Sequence, residues 1–179
     1  MGFWWFINEV FNNMGVSSKN NYFCGSKNKQ MEAIIKTNKG DMKVSLYTED
    51  APNTVSNFVK LINDGYYDSL KWHRVIPDFV IQGGCPNSKD DSSGVPGTGG
   101  PGYQIDCEID GENQYHDRGV LSMAHAGRNT GGSQFFVCHS RTNTAHLDRN
   151  HTCFGKVTEG LEVIDAIEEG DAIISMEIL

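Results

Sequence analysis

Two polar residues stand inside apolar company in the stretch WHRVIPDFVIQGG, Trp72 to Gly84. The stretch reads as two short apolar runs joined by a Pro-Asp turn, with Arg74 in the first and Gln82 near the end of the second. Charged and amide groups cost free energy when they leave water without a partner, so both need a reason to be there. A guanidinium is permanently charged and only donates, so its chemistry is that of a fixed hydrogen-bond donor, not of a base or nucleophile. Other chemistries find less support. The six histidines include His146 and His151, whose spacing matches neither HExxH nor a zinc-finger pattern, so no metal is expected. Ser122 and Ser133 lie in strand-like runs without a G-x-S-x-G elbow and read as ordinary strand packing. GTGGPGY has neither the dinucleotide spacing nor the lysine of a P-loop, and reads as a flexible loop.

The elements that must position these residues begin at Met31. EAIIKT and DMKVSLYT are strand-like and joined by Asn38-Lys39-Gly40, a hairpin turn. APNTVSNFVKLINDG then takes helical period, with Val55, Phe58, Val59 and Ile62 on one apolar face, Pro52 in the first turn and Gly65 at the stop. After the Arg74 hairpin comes CPNSKDDSSGVPGTGGPGY, a long surface loop of the kind that is usually functional or mobile. GVLSMAH, SQFFVCH and CFGKV are further short strands, and AIISMEIL is the last. Between them EGLEVIDAIEEG is a second helix, with Val163, Ile164 and Ile167 inward and Thr158 as its N-cap. Many short strands with two isolated helices fit a β-barrel or sandwich better than an alternating βαβ fold.

The 179 residues suit one domain with a real core. A net charge of −8 argues against a nucleic-acid backbone as partner. No apolar run approaches the roughly 18 residues of a membrane span, so no membrane insertion is expected. The five cysteines are scattered singly, which excludes a disulfide framework or zinc ribbon. Cys138 and Cys153 read as small buried hydrophobes, while Cys85 and Cys107, flanking the long loop, read as exposed free thiols with no bridge between them. Residues 1–30 combine an interrupted aromatic stretch with an Asn-, Ser- and Lys-rich linker. They carry no convincing targeting signal and read as a flexible or loosely docked extension of a cytoplasmic protein.

Three stretches remain: WHRVIPDFVIQGG, LSMAHAGRNTGGSQFFV and HLDRNHTCFG. In this order they resemble the cyclophilin-type peptidyl-prolyl cis-trans isomerases, and the resemblance runs from about Glu32 to Leu179. It implies a mainly β fold, a closed eight-stranded antiparallel β-barrel capped by two α-helices, in an isomerase domain spanning residues 31–179. By motif position, Arg74 matches the family's catalytic arginine, with Phe79 and Gln82 beside it. Val80, Ala124, His125, Gln134, Phe136, Leu147 and His151 match the substrate pocket and adjoining groove, with Gln134 expected to bind substrate backbone. Two positions depart from the common pattern. Val80 replaces methionine, and His146 stands where many members place a tryptophan that contacts the cyclic peptide inhibitor cyclosporin. The resemblance therefore implies a monomeric, cofactor-free isomerase of X–Pro bonds that acts on proline-containing peptides and client proteins, assists folding, and binds cyclosporin weakly. A binding module with no catalysis and a histidine-based metalloprotein are the competing classes. An Ala-Pro peptide assay separates the first, and a metal assay of untagged protein the second.

Overall fold

A computed structural model describes residues 30–179. The expectation of a flexible extension therefore falls on residues outside the description. One antiparallel sheet holds β1 (Glu32–Thr37), β2 (Gly40–Leu46), β3 (Leu70–Lys71), β4 (Arg74–Ile76), β5 (Val80–Gly83), β6 (Val120–Met123), β7 (Phe135–Cys138), β8 (Cys153–Glu159) and β9 (Ala172–Ile178). Their order is β3-β9-β1-β2-β8-β6-β7-β5-β4. The sheet curls, because its two edge strands are consecutive pieces of one run. Only Trp72 and His73 separate β3 from β4, and Trp72 still bonds the β9 side through Asp171 O at 2.9 Å. The expected count is eight; the two-residue strand Leu70–Lys71, paired with β9 just ahead of the Trp72–Gly84 stretch and not foreseen from the sequence, makes it nine.

Inside the curl, Phe58 of α1 (Pro52–Asn63) meets Phe154, Tyr67 and Phe135 at centroid separations of 5.0, 5.3 and 5.5 Å. Ile35, Val44, Leu121, Val137 and Ile164 complete this core. The buried face of α1 is Val55, Phe58, Leu61 and Ile62, so Leu61 takes the place foreseen for Val59, which is only partly buried. The face turns toward Leu61 because Thr54 and Asn57 are also held inward by polar contacts: Asn57 Nδ2 donates to Gly132 O at 2.7 Å.

Helix α1 has no capping side chain of its own, since its N-cap is Ala51. Glu108 supplies one from a distant loop. Its Oε1 accepts from Asn53 N and Nδ2 at 3.0 and 2.9 Å, and its Oε2 accepts from Thr54 N and Oγ1, both at 2.8 Å. Two of the first-turn N–H groups that the helix leaves orphaned are satisfied this way. A short helix not foreseen from the sequence, α2, spans Arg141–Thr144, and α3 spans Leu161–Ala166. Thr158 does not cap α3, because it belongs to β8 and its hydroxyl bonds Lys43 O at 3.3 Å. The cap is Gly160, at φ +82°, where a Cβ would stand 2.2 Å from Asp41 O. Only glycine fits that approach.

The cysteine expectations divide. Cys138 and Cys153 are buried, and Cys85 and Cys107 are free, but Cys85 is fully buried instead of exposed. Among the described residues no helix is long and apolar enough to cross a membrane.

One polar network runs inward from the partly exposed Arg141 and Asp148 to the buried His116 and Ser122. His116 is 0 % exposed, with Nδ1 3.1 Å from Asp148 Oδ1 and Nε2 2.9 Å from Ser122 Oγ. Arg141 grips the same Asp148 through two bonds of 2.7 and 2.6 Å. The Ser122–His116–Asp148 order has the spacing of a hydrolase triad. Ser122 and His116 are both fully buried, so no substrate reaches them, and the network acts as a support.

Two expectations follow. Replacing Glu108 with Ala leaves the α1 N-terminus uncapped and should lower unfolding free energy by about 2 kcal/mol, read as a lower denaturant midpoint at unchanged slope. The second concerns pH. Burial lowers the His116 pKa to about 4, and the Arg141 bonds hold Asp148 below the usual carboxylate range. Between pH 6.5 and 4 the unfolded chain therefore binds a proton that the folded His116 refuses, so stability is full above 6.5 and falls on acidification. The share of His116 is roughly 3 kcal/mol across that window. Burial lowers His73, His139 and His151 too and adds to the slope. Melting temperature should drop from pH 7 to 4, and His116→Gln should flatten that drop; an unchanged slope in the variant would count against His116 as a source.

Candidate active site

Side chains alternate across a sheet. In β5 to β8 this sends Ile81, Leu121, Phe135, Val137 and Phe154 to the main core, and Val80, Val120, Phe136, Cys138 and Cys153 to a separate apolar cluster on the other face. Phe79, Ala124, Leu147 and Tyr47 pack against that second cluster. Register then sets one row across five strands. Arg74 pairs with Gln82, Gln82 with Phe136, Phe136 with Ser122, and Ser122 with Cys153.

The β4–β5 hairpin aims the first two members of the row. Phe79 N donates to Ile76 O at 3.0 Å around Pro77-Asp78, and Asp78 sits at φ +62°. This is a tight turn with the proline where φ is preset and a short polar residue in the left-handed position. Asn143 Nδ2 holds it by donating to Asp78 O at 2.9 Å. At the far end of β5, Gly84 has φ +83° and an added Cβ would lie 2.3 Å from Ser133 O, which accounts for the second glycine of the motif.

Arg74, Phe79, Val80, Gln82, Ala124, His125, Phe136, Leu147 and His151 line one cleft of about 240 Å³. Arg74 is exposed at its rim, not buried as its apolar neighbours implied, and Val75 and Ile76 beside it are only partly buried. Its Nη1 donates to Gln82 Oε1 at 3.2 Å, and Gln82 Nε2 donates to Gln134 Oε1 at 3.1 Å. Gln134 stands outside the cleft lining, behind Gln82. Both of its N–H groups are used within the protein, on Gly97 O at 2.9 Å and Gly99 O at 2.8 Å. His146 is exposed and stacks on Phe79 at 5.8 Å with planes 10° apart, which puts it beside the cleft without lining it.

The imidazoles of the wall are ordered by backbone. His125 and His151 stack at 3.9 Å, 14° from parallel. Gly127 N donates to His125 Nδ1 at 3.2 Å, so the His125 Nε2 proton goes to Asn150 O at 3.0 Å. His151 Nδ1 donates to Met123 O at 3.1 Å. Burial, then the neighbouring His125, lowers the His151 pKa, so a neutral ring faces the cleft. Behind the wall, His116 stacks on Phe136 at 5.8 Å and meets His151 edge-on at 6.4 Å.

A second depression, about 400 Å³, adjoins the first across Gln82, Ala124 and His125. Its far wall is Gly97–Pro101 with Tyr103, the segment the sequence offered only as a flexible loop. Sequence reasoning also passed over His116, which lies in a stretch without periodicity, and Cys85, whose partners lie in that loop. Among the described residues no group of three His, Cys, Asp or Glu side chains has metal-holding geometry. The arrangement offers a charged donor held at the edge of an apolar seat, with no nucleophile beside it.

Known proteins are similar to this chain over most of its length. Residues 33–176 match the family model for cyclophilin type peptidyl-prolyl cis-trans isomerases. A peptidyl-prolyl cis-trans isomerase of Synechococcus elongatus is 52 % identical over 150 residues, covering 83 % of this chain and 96 % of the relative. Peptidyl-prolyl cis-trans isomerase B of Bacillus subtilis is 53 % identical over 132 residues, covering 74 % and 86 %. Among solved structures, a cyclophilin type peptidyl-prolyl cis-trans isomerase of Cryptosporidium parvum, determined in the presence of the dipeptide Ala-Pro, superposes with a TM-score of 0.72 at 33 % identity over 83 % of this chain and 98 % of that one. With fold, motifs and relatives in agreement, the chain belongs to the cyclophilin-type peptidyl-prolyl cis-trans isomerases.

Proposed function

We propose that Arg74 accelerates rotation about X–Pro bonds by donating to the prolyl nitrogen in the twisted state, while Val80, Phe136 and Leu147 seat the proline ring and Phe79 walls it. The observation that carries this reading is the Arg74 Nη1 bond to Gln82 at 3.2 Å, beside a cleft lined by those side chains. A planar X–Pro amide delocalises the nitrogen lone pair into the carbonyl, and rotation costs roughly 18–20 kcal/mol. Twisting returns the lone pair to nitrogen, where a donor-only guanidinium meets it. That contact exists only in the transition state, so it raises turnover instead of affinity. No bond to the enzyme forms, and no proton is transferred. Acceleration from about 10⁻² to about 10² per second needs roughly 5.5 kcal/mol, within reach of one charge-assisted donor plus positioning.

In this reading Gln82 orients Arg74, and Ala124, His125, Gln134 and His151 form the surface along which the substrate backbone lies. The isomerase unit is residues 31–179, with Leu70–Ile76 acting as one bent strand that closes the sheet into an eight-stranded barrel capped by α1 and α3. The protein acts as a cytoplasmic monomer on proline-containing segments of client chains and assists their folding. The Ala-Pro dipeptide, present when the Cryptosporidium parvum structure was determined, supports a substrate of this chemistry.

Arg74→Ala should lower kcat about a hundredfold or more with KM changed far less, because a preorganised donor of this kind contributes roughly 3 kcal/mol. Equal losses in kcat and in peptide affinity would sink the transition-state role. His146 gives a second expectation. An imidazole on Phe79 offers less apolar face than an indole, so cyclosporin inhibits weakly while small Pro peptides turn over normally. His146→Trp should tighten inhibition about tenfold, equivalent to about 1.4 kcal/mol. An inhibition titration of both proteins on one substrate reads this directly, and equal inhibition would remove His146 as the determinant.

A further inference from the structure

The Gly97–Gly99 segment is held by two side chains that use opposite chemistry. Cys85 is fully buried at the end of the β5 motif. Its Sγ lies 3.1 Å from Gly97 N and 3.3 Å from Gly99 N, accepting from both. The carbonyls of the same two glycines accept from Gln134 Nε2 at 2.9 and 2.8 Å. Four backbone groups of two glycines thus find partners on one sulfur and one amide. The amide is not idle at its other end, because Gln134 Oε1 accepts from Gln82, and Gln82 Oε1 accepts from Arg74.

We infer that Cys85 and Gln134 clamp the Gly97–Gly99 segment, and that Cys85, through this clamp, is a positioning residue for Arg74. The inference rests on the reading of Arg74 as the catalytic donor. A primary amide rotates freely unless both its ends are bonded. With Gly97 O and Gly99 O fixed, the Gln134 Nε2 pair is fixed, and its Oε1 is presented to Gln82 in one orientation. Gln82 in turn must present Oε1, not Nε2, to the guanidinium, since a donor facing a donor is repelled. The orientation of the Arg74 partner is therefore decided at the far end of the chain. Cys85 touches neither cleft, so its removal reaches Arg74 only by way of the segment it holds, which Asn87 Nδ2 also steadies by donating to Thr98 Oγ1 at 3.1 Å.

Taking away the sulfur removes the shared acceptor of two partly buried N–H groups and frees the segment to shift. The test is a double-mutant cycle on kcat with an Ala-Pro peptide. Cys85→Ala in the parent should lower kcat roughly fivefold with KM nearly unchanged, and Cys85→Ser, which keeps an acceptor, should restore most of it. In an Arg74→Ala background Cys85→Ala should change kcat less than about twofold, since the group being aimed is gone. Cys107→Ala, at a thiol that lines neither cleft, controls for thiol loss and should match the parent. Should Cys85→Ala fail to fold, Cys85→Val, which fills the same space without an acceptor, carries the same cycle. Equal losses in both backgrounds, or no loss in the parent, would overturn the clamp and leave the role of Arg74 standing. An Arg74→Ala variant as fast as the parent would overturn the catalytic reading itself, and the clamp's purpose with it.

Discussion

Register between β4, β5, β7, β6 and β8 is the constraint on which the site depends. Arg74, Gln82, Phe136, Ser122 and Cys153 are cross-strand neighbours in one row, on one face. A slip of one residue in any of these strands would send its member of the row into the main core and bring Ile81, Val137 or Leu121 to the cleft. What fixes the register is the opposite face, where Phe135, Val137, Leu121 and Phe154 lock against Phe58 and Tyr67. The reactive face is thus specified by packing it never touches. The tight Pro77-Asp78 turn adds a local restraint at the place where the row begins.

Polar support stands behind the apolar wall. His116 is paired with Asp148 and Ser122, and it stacks on Phe136 of the cleft lining. Phe136 gains a rigid backing ring in place of deformable aliphatic neighbours. The buried ring stays neutral near pH 7, since burial lowers its pKa to about 4, so the ring behind Phe136 carries no charge.

Much of this was legible in the chain itself, for identifiable reasons. EAIIKT, with every second residue buried, and α1, with Val55, Phe58 and Ile62 on one stripe, show their faces through period, whereas FFVC is apolar and buried throughout and shows none. The long motifs brought Arg74, Phe79, Gln82, Phe136 and Leu147 forward together, and the fold gathers them in one cleft. Features that depend on distant partners left no local trace. Glu108 is an ordinary acidic residue until Asn53 and Thr54 are set before it. Cys85 is a lone thiol until Gly97 and Gly99 fold back over it. The exposure of Arg74 was misjudged for a related reason. Flanking apolar residues signal burial only if the strand is covered, and β4 is an edge.

The shape of that edge limits how a peptide can approach. The sheet ends in β3 and β4, of two and three residues, and the chain runs directly from one to the other. Little unpaired backbone is left on which an extended segment could add itself as another strand. Strand addition would also suit this chemistry poorly, because a ladder of main-chain bonds holds each amide of the guest flat and proline cannot donate to it. The cleft lies on a face of the sheet and not at this seam, so a proline-containing peptide would be received across that face. The curled sheet, by leaving no room at its seam, keeps the guest's own backbone free to turn.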